Sequence, residues 1–254
     1  MDSRLRGNDK TMRNQIVILA GGEGTRMGGN IPKVLVMLKN KPLILHLLHE
    51  LDKVSQLAKP VVVVGYKYQE VRAVLGDEFI YAYQNKQLGT AHALLSAKPK
   101  VIAENISVVY GDMPFIKAES LKKLISEHLK NQSKFSMLTS VVSNFENEFS
   151  SLKSYGKIVR DQKKQIIKIV EAKDANENEK KLTEVNPGIY MFETEWLWEN
   201  LQQIENNNLS REYYLTDIVA VAVKQNLEIL NLPIDPKEII GINSPEDLAI
   251  VEGL

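Results

Sequence analysis

Short apolar runs alternate with segments of helical periodicity along most of the chain. The apolar, β-branched runs are typical of strands buried on both faces, and they predict strands at 16–19, 60–65, 79–83, 106–110, 135–142, 185–192 and 227–232. Apolar residues three and four apart predict helices at 42–54, 68–75, 90–97, 118–129, from 196, at 218–224 and from 245, with Pro42 at a first helical position. This order predicts an α/β fold with a doubly wound, mostly parallel, Rossmann-like sheet that binds ligands outside the carboxyl ends of its strands.

A glycine-rich loop follows the first predicted strand. Its glycines let main-chain N–H groups converge on an anion, and the cations Arg26 and Lys33 come soon after them. Two fixed positive charges beside such a loop suit a triphosphate, although a plain turn would also need glycine. Thr25 excludes a Walker loop, and Met27 excludes a dinucleotide fingerprint. The residues expected to contact a nucleotide here are Leu19, Ala20, Gly21, Gly22, Gly24 and Lys33.

The segment after the third predicted strand reads Q-N-K-Q-L-G-T. The amide of Gln84 offers both donors and an acceptor, which the imide edge of uracil requires, and Gly89 with Thr90 at a helix start adds free backbone N–H groups. These three residues are therefore candidates for binding a base. Taken alone, the segment could equally be a turn followed by the start of a helix.

A carboxylate stands at the end of the fourth strand of the predicted parallel series. Gly111 allows close approach there, and Asp112 is well placed to hold Mg²⁺ against phosphate oxygens. A carbonyl oxygen from Asn243, near the C-terminus, could complete the same metal site. The alternative for both residues is an ordinary turn.

Composition narrows the function classes. Lys plus Arg and Asp plus Glu both total 32, so nothing in the net charge suggests binding to nucleic acid or to an acidic membrane. The chain has no cysteine, which excludes a Cys nucleophile and a thiolate metal site. It has neither a secretory signal nor an apolar run of about 20 residues, so we expect a cytoplasmic protein. Residues 1–13 are expected to be a disordered extension, and 14–254 a single domain.

The motifs occur in a specific order over nearly the whole chain. They read G-G-x-G-T-R-M with P-K, Q-x-x-Q-L-G-T, Y-G-D-x-P, Y-G-K-I-V-R-D, I-V-E-A-K-D, E-V-N-P-G-I-Y, E-Y-Y-L-T-D and G-I-N. This order resembles the uridylyltransferase domain of the bacterial N-acetylglucosamine-1-phosphate uridylyltransferases, a family with the nucleotide-diphospho-sugar transferase type of fold. The resemblance implies that Asp112 and Asn243 bind Mg²⁺ as cofactor and that Arg26 and Lys33 handle the triphosphate as catalytic residues, together with Asp112.

The same resemblance locates the sugar. Two alternating segments, 155–160 and 165–171, predict an antiparallel hairpin set over the main sheet, which could form a wall of the sugar pocket. A carboxylate and an amide together can bond neighbouring hydroxyls. The residues implied to contact the sugar are Tyr110, Gly111, Gly156, Glu171 and Asn186.

The implied reaction joins UTP and N-acetylglucosamine 1-phosphate into UDP-N-acetylglucosamine with release of pyrophosphate, and it would supply cell-wall precursors. Relatives usually continue into a β-helix of hexapeptide repeats that acetylates glucosamine 1-phosphate; because this sequence has no such repeats, we expect no acetyltransferase activity and predict no oligomeric state. Gly21, Ala91 and Pro187 depart from the family pattern, and Pro187 leaves the sugar open. The alternatives are a nucleotidyltransferase for another sugar 1-phosphate or a non-catalytic nucleotide-binding module.

Overall fold

The computed structural model of the protein describes residues 13–55 and 57–253. Its strands are β1 (Asn14–Leu19), β2 (Met37–Leu38), β3 (Lys41–Pro42), β4 (Leu57–Val64), β5 (Ile80–Tyr83), β6 (Asn105–Tyr110), β7 (Phe135–Val141), β8 (Lys157–Arg160), β9 (Ile166–Val170), β10 (Glu184–Val185), β11 (Tyr190–Glu193) and β12 (Leu230–Pro233). Its α-helices are α1 (Leu43–Leu51), α2 (Tyr68–Leu75), α3 (Thr90–Ala97), α4 (Ala118–Lys130), α5 (Thr194–Asn200), α6 (Ile218–Lys224) and α7 (Pro245–Glu252).

Ten strands form one sheet around β1. The order is β5-β4-β1-β6-β11-β7-β10-β8-β9, and β12 also pairs with β7. Strands β5, β4, β1 and β6 run parallel, whereas β11 is antiparallel to both of its neighbours. The predicted Rossmann-like, mostly parallel sheet is therefore confirmed. Because β4 and β6 lie on opposite sides of β1, the chain reverses its direction of winding there and leaves a crevice at the carboxyl ends of β1 and β6.

The alternation of side chains along β1 builds a core on each face of the sheet. Val17 and Leu19 pack on one face with residues of α3, α5 and α6, including the two tryptophans. Ile16 and Ile18 pack on the other face with residues of α1, α2 and α4. Because both faces are covered, β1 reads as a continuous apolar run rather than an alternating one.

The predicted hairpin is present as β8 and β9, which pair antiparallel. It is joined to the main sheet through the short strand β10, which pairs with both β7 and β8. The hairpin thus extends the edge of the sheet, and helix α6 packs against β9. This attachment depends on a two-residue strand, β10, which the sequence pattern did not separate from the longer strand expected at 185–192.

Several predicted boundaries were wrong, among them the end of the helix expected to reach 54 and the start of the strand expected at 60, and three others have a clear cause. The expected strand at 185–192 is two strands, because Pro187 has no N–H to donate and Gly188 takes a φ of +77° while its N–H donates to Asn186 Oδ1 at 3.1 Å. The strand expected from 227 begins at Leu230, because the N–H of Leu227 still bonds to the end of α6. Pro42 ends β3 and precedes the first residue of α1 instead of lying within the helix.

The expectation of a disordered extension at 1–13 falls outside the described residues, apart from Arg13. In the described part of the chain, no helix combines the length and apolarity that crossing a bilayer requires.

Candidate active site

The crevice at the carboxyl ends of β1 and β6 contains two adjoining cavities. The first, of about 440 Å³, is lined by every predicted nucleotide-binding residue except Gly24. The second, of about 460 Å³, is lined by Gly156, Glu171 and Asn186 among the predicted sugar-binding residues. Lys33, Tyr110 and Asp112 line both cavities, so these three side chains form the junction between them.

The glycine loop folds back onto Lys33. Gly24 has a φ of +66°, and a β-carbon there would lie 3.1 Å from the Cα of Lys33, so only glycine fits this position without displacing the lysine. The N–H of Lys33 donates to the carbonyl of Gly22 at 3.3 Å. On the outer side of the loop, the hydroxyl of Tyr66 donates to the carbonyl of Gly29 at 2.8 Å. Gly24 therefore supports the lysine rather than lining the cavity.

Lys33 brings the two predicted metal ligands together. Its ammonium group forms an ion pair with the Oδ2 atom of Asp112 and donates to the Oδ1 atom of Asn243 at 2.6 Å. The two oxygens thus converge on a single cation, and a carboxylate with an amide carbonyl is a hard oxygen donor set of the kind that Mg²⁺ prefers. Within residues 13–55 and 57–253, no cluster of three or more His, Cys, Asp or Glu could hold a metal. The two residues therefore fit a Mg²⁺ ion that takes its remaining ligands from phosphate and water.

Gln84 lines the first cavity and is buried, with 6% of its surface exposed. Its Nε2 atom lies 3.1 Å from the carbonyl oxygen of Gly89 and 3.2 Å from the Nδ1 atom of His92. A second amide, that of Gln87, donates to the carbonyl of Gly21 at 2.9 Å and so ties this segment to the glycine loop.

The segment preceding α6 is hydrogen-bonded to the residues on either side of Gly89. The backbone of Tyr213 accepts from Ala91 N at 2.9 Å and donates to Leu88 O at 2.8 Å, while Leu215 N donates to Thr90 Oγ1 at 2.9 Å. Gly89 between them has a φ of +108°, and a β-carbon there would lie 2.5 Å from the carbonyl oxygen of Tyr213. Glycine is therefore required at 89 both for its backbone angle and for this close approach.

The same segment reaches the second cavity through Thr216. The hydroxyl of Thr216 donates to Glu171 Oε1 at 2.8 Å. Burial raises the pKa of Glu171, and nearby carboxylates including Asp217 act in the same direction. Gly156 lies against the hairpin, where a β-carbon would be 2.8 Å from Ile169 Cγ2, so its small size lets the wall close around Glu171.

Asn186 lines the second cavity but is partly engaged inside the protein. Its Nδ2 donates to the hydroxyl of Tyr190 at 2.6 Å, and its Oδ1 accepts from Gly188 N at 3.1 Å. One amide hydrogen and one lone pair remain for a ligand. Gly188 also lies against the ring of Tyr110. Burial is the main reason that the pKa of the Tyr110 hydroxyl is raised above its ordinary value. Tyr110 is therefore a neutral wall between the cavities.

Arg26 and Gly111 differ in their relation to the site. Arg26 is exposed on the short 3-10 turn after the glycines, and it lines the second cavity rather than the first. Gly111 lies beneath the site, where its N–H donates to Leu19 O at 2.9 Å and a β-carbon would approach Val34 Cγ1 at 2.9 Å. Its position is thus one of support for Asp112.

Sequence reasoning missed four residues of this site. They are Gln87, His92, Tyr155 and Thr216. Tyr155 is partly buried, and its hydroxyl donates to Ile239 O at 2.8 Å, in the segment that leads to Asn243. All four occur inside quoted motifs or next to them, so the sequence carried a signal for them that the prediction from motifs did not use.

A larger cleft, of about 1140 Å³, lies elsewhere. It opens beside the amino-terminal end of β6 and is lined by Asn105, Lys134, Glu193 and Trp198 among others. None of the predicted site residues lies there. In open parallel sheets ligands bind at the other ends of the strands, so we locate the active site in the two adjoining cavities.

The fold and the cavities fit a nucleotidyltransferase, because a doubly wound sheet presents a glycine loop and two adjoining cavities with a lysine between them. The chain belongs to the family described as MobA-like NTP transferase domain, which matches residues 16–156. The predicted enzyme class is confirmed by this match and by the relatives described next.

Curated relatives named bifunctional protein GlmU are similar to nearly the whole chain. One from Caldicellulosiruptor saccharolyticus is 38% identical over 244 residues, covering 94% of this chain and 51% of the relative. One from Thermosipho melanesiensis is 41% identical over 237 residues, covering 93% and 49%. The chain thus spans about half the length of the curated relatives it matches. These matches confirm the resemblance predicted from the motifs.

A solved structure described as UDP-glucose pyrophosphorylase complexed with UDP-glucose shares the fold. Its TM-score is 0.73 at 20% identity, and the match covers 95% of this chain and 98% of that one. At this identity the likeness shows the fold alone, which agrees with the predicted nucleotide-diphospho-sugar transferase type.

Proposed function

We propose that the chain is a Mg²⁺-dependent uridylyltransferase that makes UDP-N-acetylglucosamine from UTP and N-acetylglucosamine 1-phosphate. The observation that carries this proposal is the junction of the two cavities at Lys33, Tyr110 and Asp112. A nucleotide with its base at Gln84 and a sugar phosphate with its ring at Glu171 would meet there with their phosphates adjacent. The similarity to the GlmU proteins supports the choice of substrates.

The reaction requires no nucleophile from the protein. An oxygen of the sugar phosphate forms a bond to the α-phosphorus of UTP, the bond from that phosphorus to the bridging oxygen breaks, and pyrophosphate leaves. Since the attacking phosphate is already an anion, the protein has to bring two polyanions together and hold them in line.

Lys33 is placed for that task. Its ammonium group stands at the junction, where it neutralises phosphate charge in a site partly shielded from water. Arg26 lines the second cavity, so we assign it to the phosphate of the sugar substrate as well as to the triphosphate. When bound at Asp112 and Asn243, Mg²⁺ would supply a further positive charge for the phosphate oxygens.

The second cavity suits an uncharged, hydroxyl-rich ring. Glu171 and the free positions of Asn186 offer acceptors and a donor within a pocket whose walls are Tyr110 and Gly156. Pro187 follows Asn186 directly and has no N–H to offer a ligand. The N-acetylated sugar is the substrate we test first, because it is the one that the motif resemblance implies. A cytoplasmic role in supplying cell-wall precursors remains a prediction.

Pyrophosphate release from UTP and Mg²⁺ tests the proposal. The sugars to compare are N-acetylglucosamine 1-phosphate, glucose 1-phosphate and glucosamine 1-phosphate, with Asp112→Ala as the inactive control. We expect strong release with the N-acetylated sugar, lost in the variant. Release with another sugar only would replace the substrate and keep the reaction, whereas binding of UTP without release for any sugar would favour a non-catalytic nucleotide-binding module.

A further inference from the structure

A contact with the backbone identifies which end of the Gln84 amide is the nitrogen. The carbonyl oxygen of Gly89 can only accept a hydrogen bond, and it lies 3.1 Å from one terminal atom of the Gln84 side chain. That atom must be the nitrogen, Nε2. The other atom, Oε1, lies on the side of Gly21, where a β-carbon added to that glycine would come within 3.2 Å of it.

His92 reinforces this orientation from behind. Its Nδ1 atom lies 3.2 Å from the same Nε2, so Nδ1 must accept and the ring proton must sit on the other nitrogen. His92 is the third residue of α3 and does not line the first cavity, whereas Gln84 does. Both known bonds of the amide therefore use Nε2, and among the described residues none donates to Oε1.

We propose that His92 is a positioning residue for base selection, because it holds Gln84 with Oε1 presented to the cavity as an acceptor. An acceptor there matches a base edge that carries an N–H, while the backbone N–H groups of Gly89 and Thr90 at the start of α3 match a neighbouring carbonyl. Uracil presents this imide edge. Cytosine presents a ring nitrogen lone pair in place of the N–H, and it would face Oε1 acceptor to acceptor.

This inference rests on the proposed function only in placing the base at Gln84. It is tested by the dissociation constants of UTP and CTP with Mg²⁺, which require no turnover. His92→Phe keeps a ring but removes the acceptor, and His92→Asn restores an acceptor, the side-chain oxygen, near the position of Nδ1. We expect His92→Phe to reduce the preference for UTP over CTP by about 3- to 10-fold, the value of one hydrogen bond, and His92→Asn to retain it.

A double-mutant cycle separates positioning from packing. In a Gln84→Ala background, His92→Phe should leave the ratio of UTP to CTP affinity unchanged, because no amide remains to be oriented. An equal effect in both backgrounds, an unchanged ratio in His92→Phe, or equal affinity of the unmutated protein for UTP and CTP would overturn the proposal. Thermal unfolding checks each variant, and His92→Leu replaces His92→Phe if the larger ring prevents folding.

The two proposals fail separately. A protein that releases no pyrophosphate but binds UTP over CTP through His92 would contradict the proposed function and support the positioning role. A protein that turns over UTP, and whose base preference is unchanged in His92→Phe, would support the proposed function and contradict the positioning role.

Discussion

The Nζ atom of Lys33 lies 2.6 Å from the Oδ1 atom of Asn243, although the two residues are 210 positions apart in the chain. The same ammonium group pairs with Asp112, so three distant segments meet at one positive charge. A lysine in this position holds two oxygens ready for a cation and faces both cavities. The predictions about charge at the site begin from this contact.

Replacing Lys33 by alanine should lower kcat/KM for UTP by about 100-fold or more, because one preorganised cation at the reacting phosphates is lost. The assay is steady-state pyrophosphate release over a range of UTP concentrations. Lys100→Ala is the matched control, since Lys100 is exposed on the turn that follows α3. Comparable losses in both variants would point to a general effect of charge on nucleotide attraction instead of a role at the junction.

Replacing Asp112 by asparagine should raise the Mg²⁺ concentration needed for half-maximal activity by about 10-fold or more, because a neutral amide binds the ion more weakly than a carboxylate does. Titration of the enzyme with Mg²⁺ after removal by a chelator measures this value. Asp52→Asn, at the exposed end of α1, is the control. An unchanged Mg²⁺ requirement in Asp112→Asn would remove this residue from the metal site.

Stability should depend on pH through Asp217. The pKa of Asp217 is raised from 3.8 to about 6, mainly by burial and to a smaller extent by the charge of Asp174. Because the folded pKa exceeds the unfolded one, the ionised group destabilises the protein above pH about 6, and this cost disappears as the pH falls towards 3.8. Burial shifts the pKa of Glu171 in the same direction, so the comparison must be made between variants.

Urea unfolding of Asp217→Asn supplies that comparison. At pH 7 the variant should be more stable than the unmutated protein by about 1 kcal/mol, a modest value because solvent screens a half-buried carboxylate. The difference should shrink at pH 4.5. Asp52→Asn, whose side chain is exposed, should show no such change with pH. A constant difference for Asp217→Asn across this range would contradict the assignment.

Gly89→Ala should destabilise the fold and weaken UTP binding together. Its φ of +108° disfavours alanine, and the new methyl would lie 2.5 Å from Tyr213 O. Gly76→Ala is a matched control with a φ of +70°, a ψ of −156° and no atom within 4 Å, so it carries the cost of the backbone angles alone, about 1 to 3 kcal/mol. We expect Gly89→Ala to exceed this cost by at least about 1 kcal/mol in urea unfolding and to lower UTP affinity, while Gly76→Ala leaves affinity intact. Equal effects of the two substitutions on stability would mean that the backbone of Tyr213 moves aside without cost.

The sheet could be predicted because burial on both faces leaves a plain mark in the sequence. The apolar run around Val17 and the four valines of β4 are typical of strands buried on both faces, and both segments fold as strands. The break between β10 and β11 has a weaker signal in the sequence. It depends on one proline and one glycine, and the apolar residues around them read as an unbroken strand.

The proximity of the candidate site residues could be predicted, but not all of their contacts. Motif order was enough to place Gln84, Asp112 and Asn243 on one side of the sheet, because strand ends converge there. The pairing of Lys33 with Asn243 and of Thr216 with Glu171 joins segments that no local pattern relates. His92 read as one more residue of an amphipathic helix until its distance to Gln84 gave it a partner.

The two cavities draw their linings from different parts of the chain. The first draws its lining from positions 19–112 with the addition of Glu212, whereas the second draws most of its lining from positions 154–243. A gene that kept the first portion and exchanged the second would therefore inherit the base preference and acquire a different acceptor. Chimeras joined near 113, between relatives that use different sugars, are the natural material for engineering new nucleotide sugars on this scaffold.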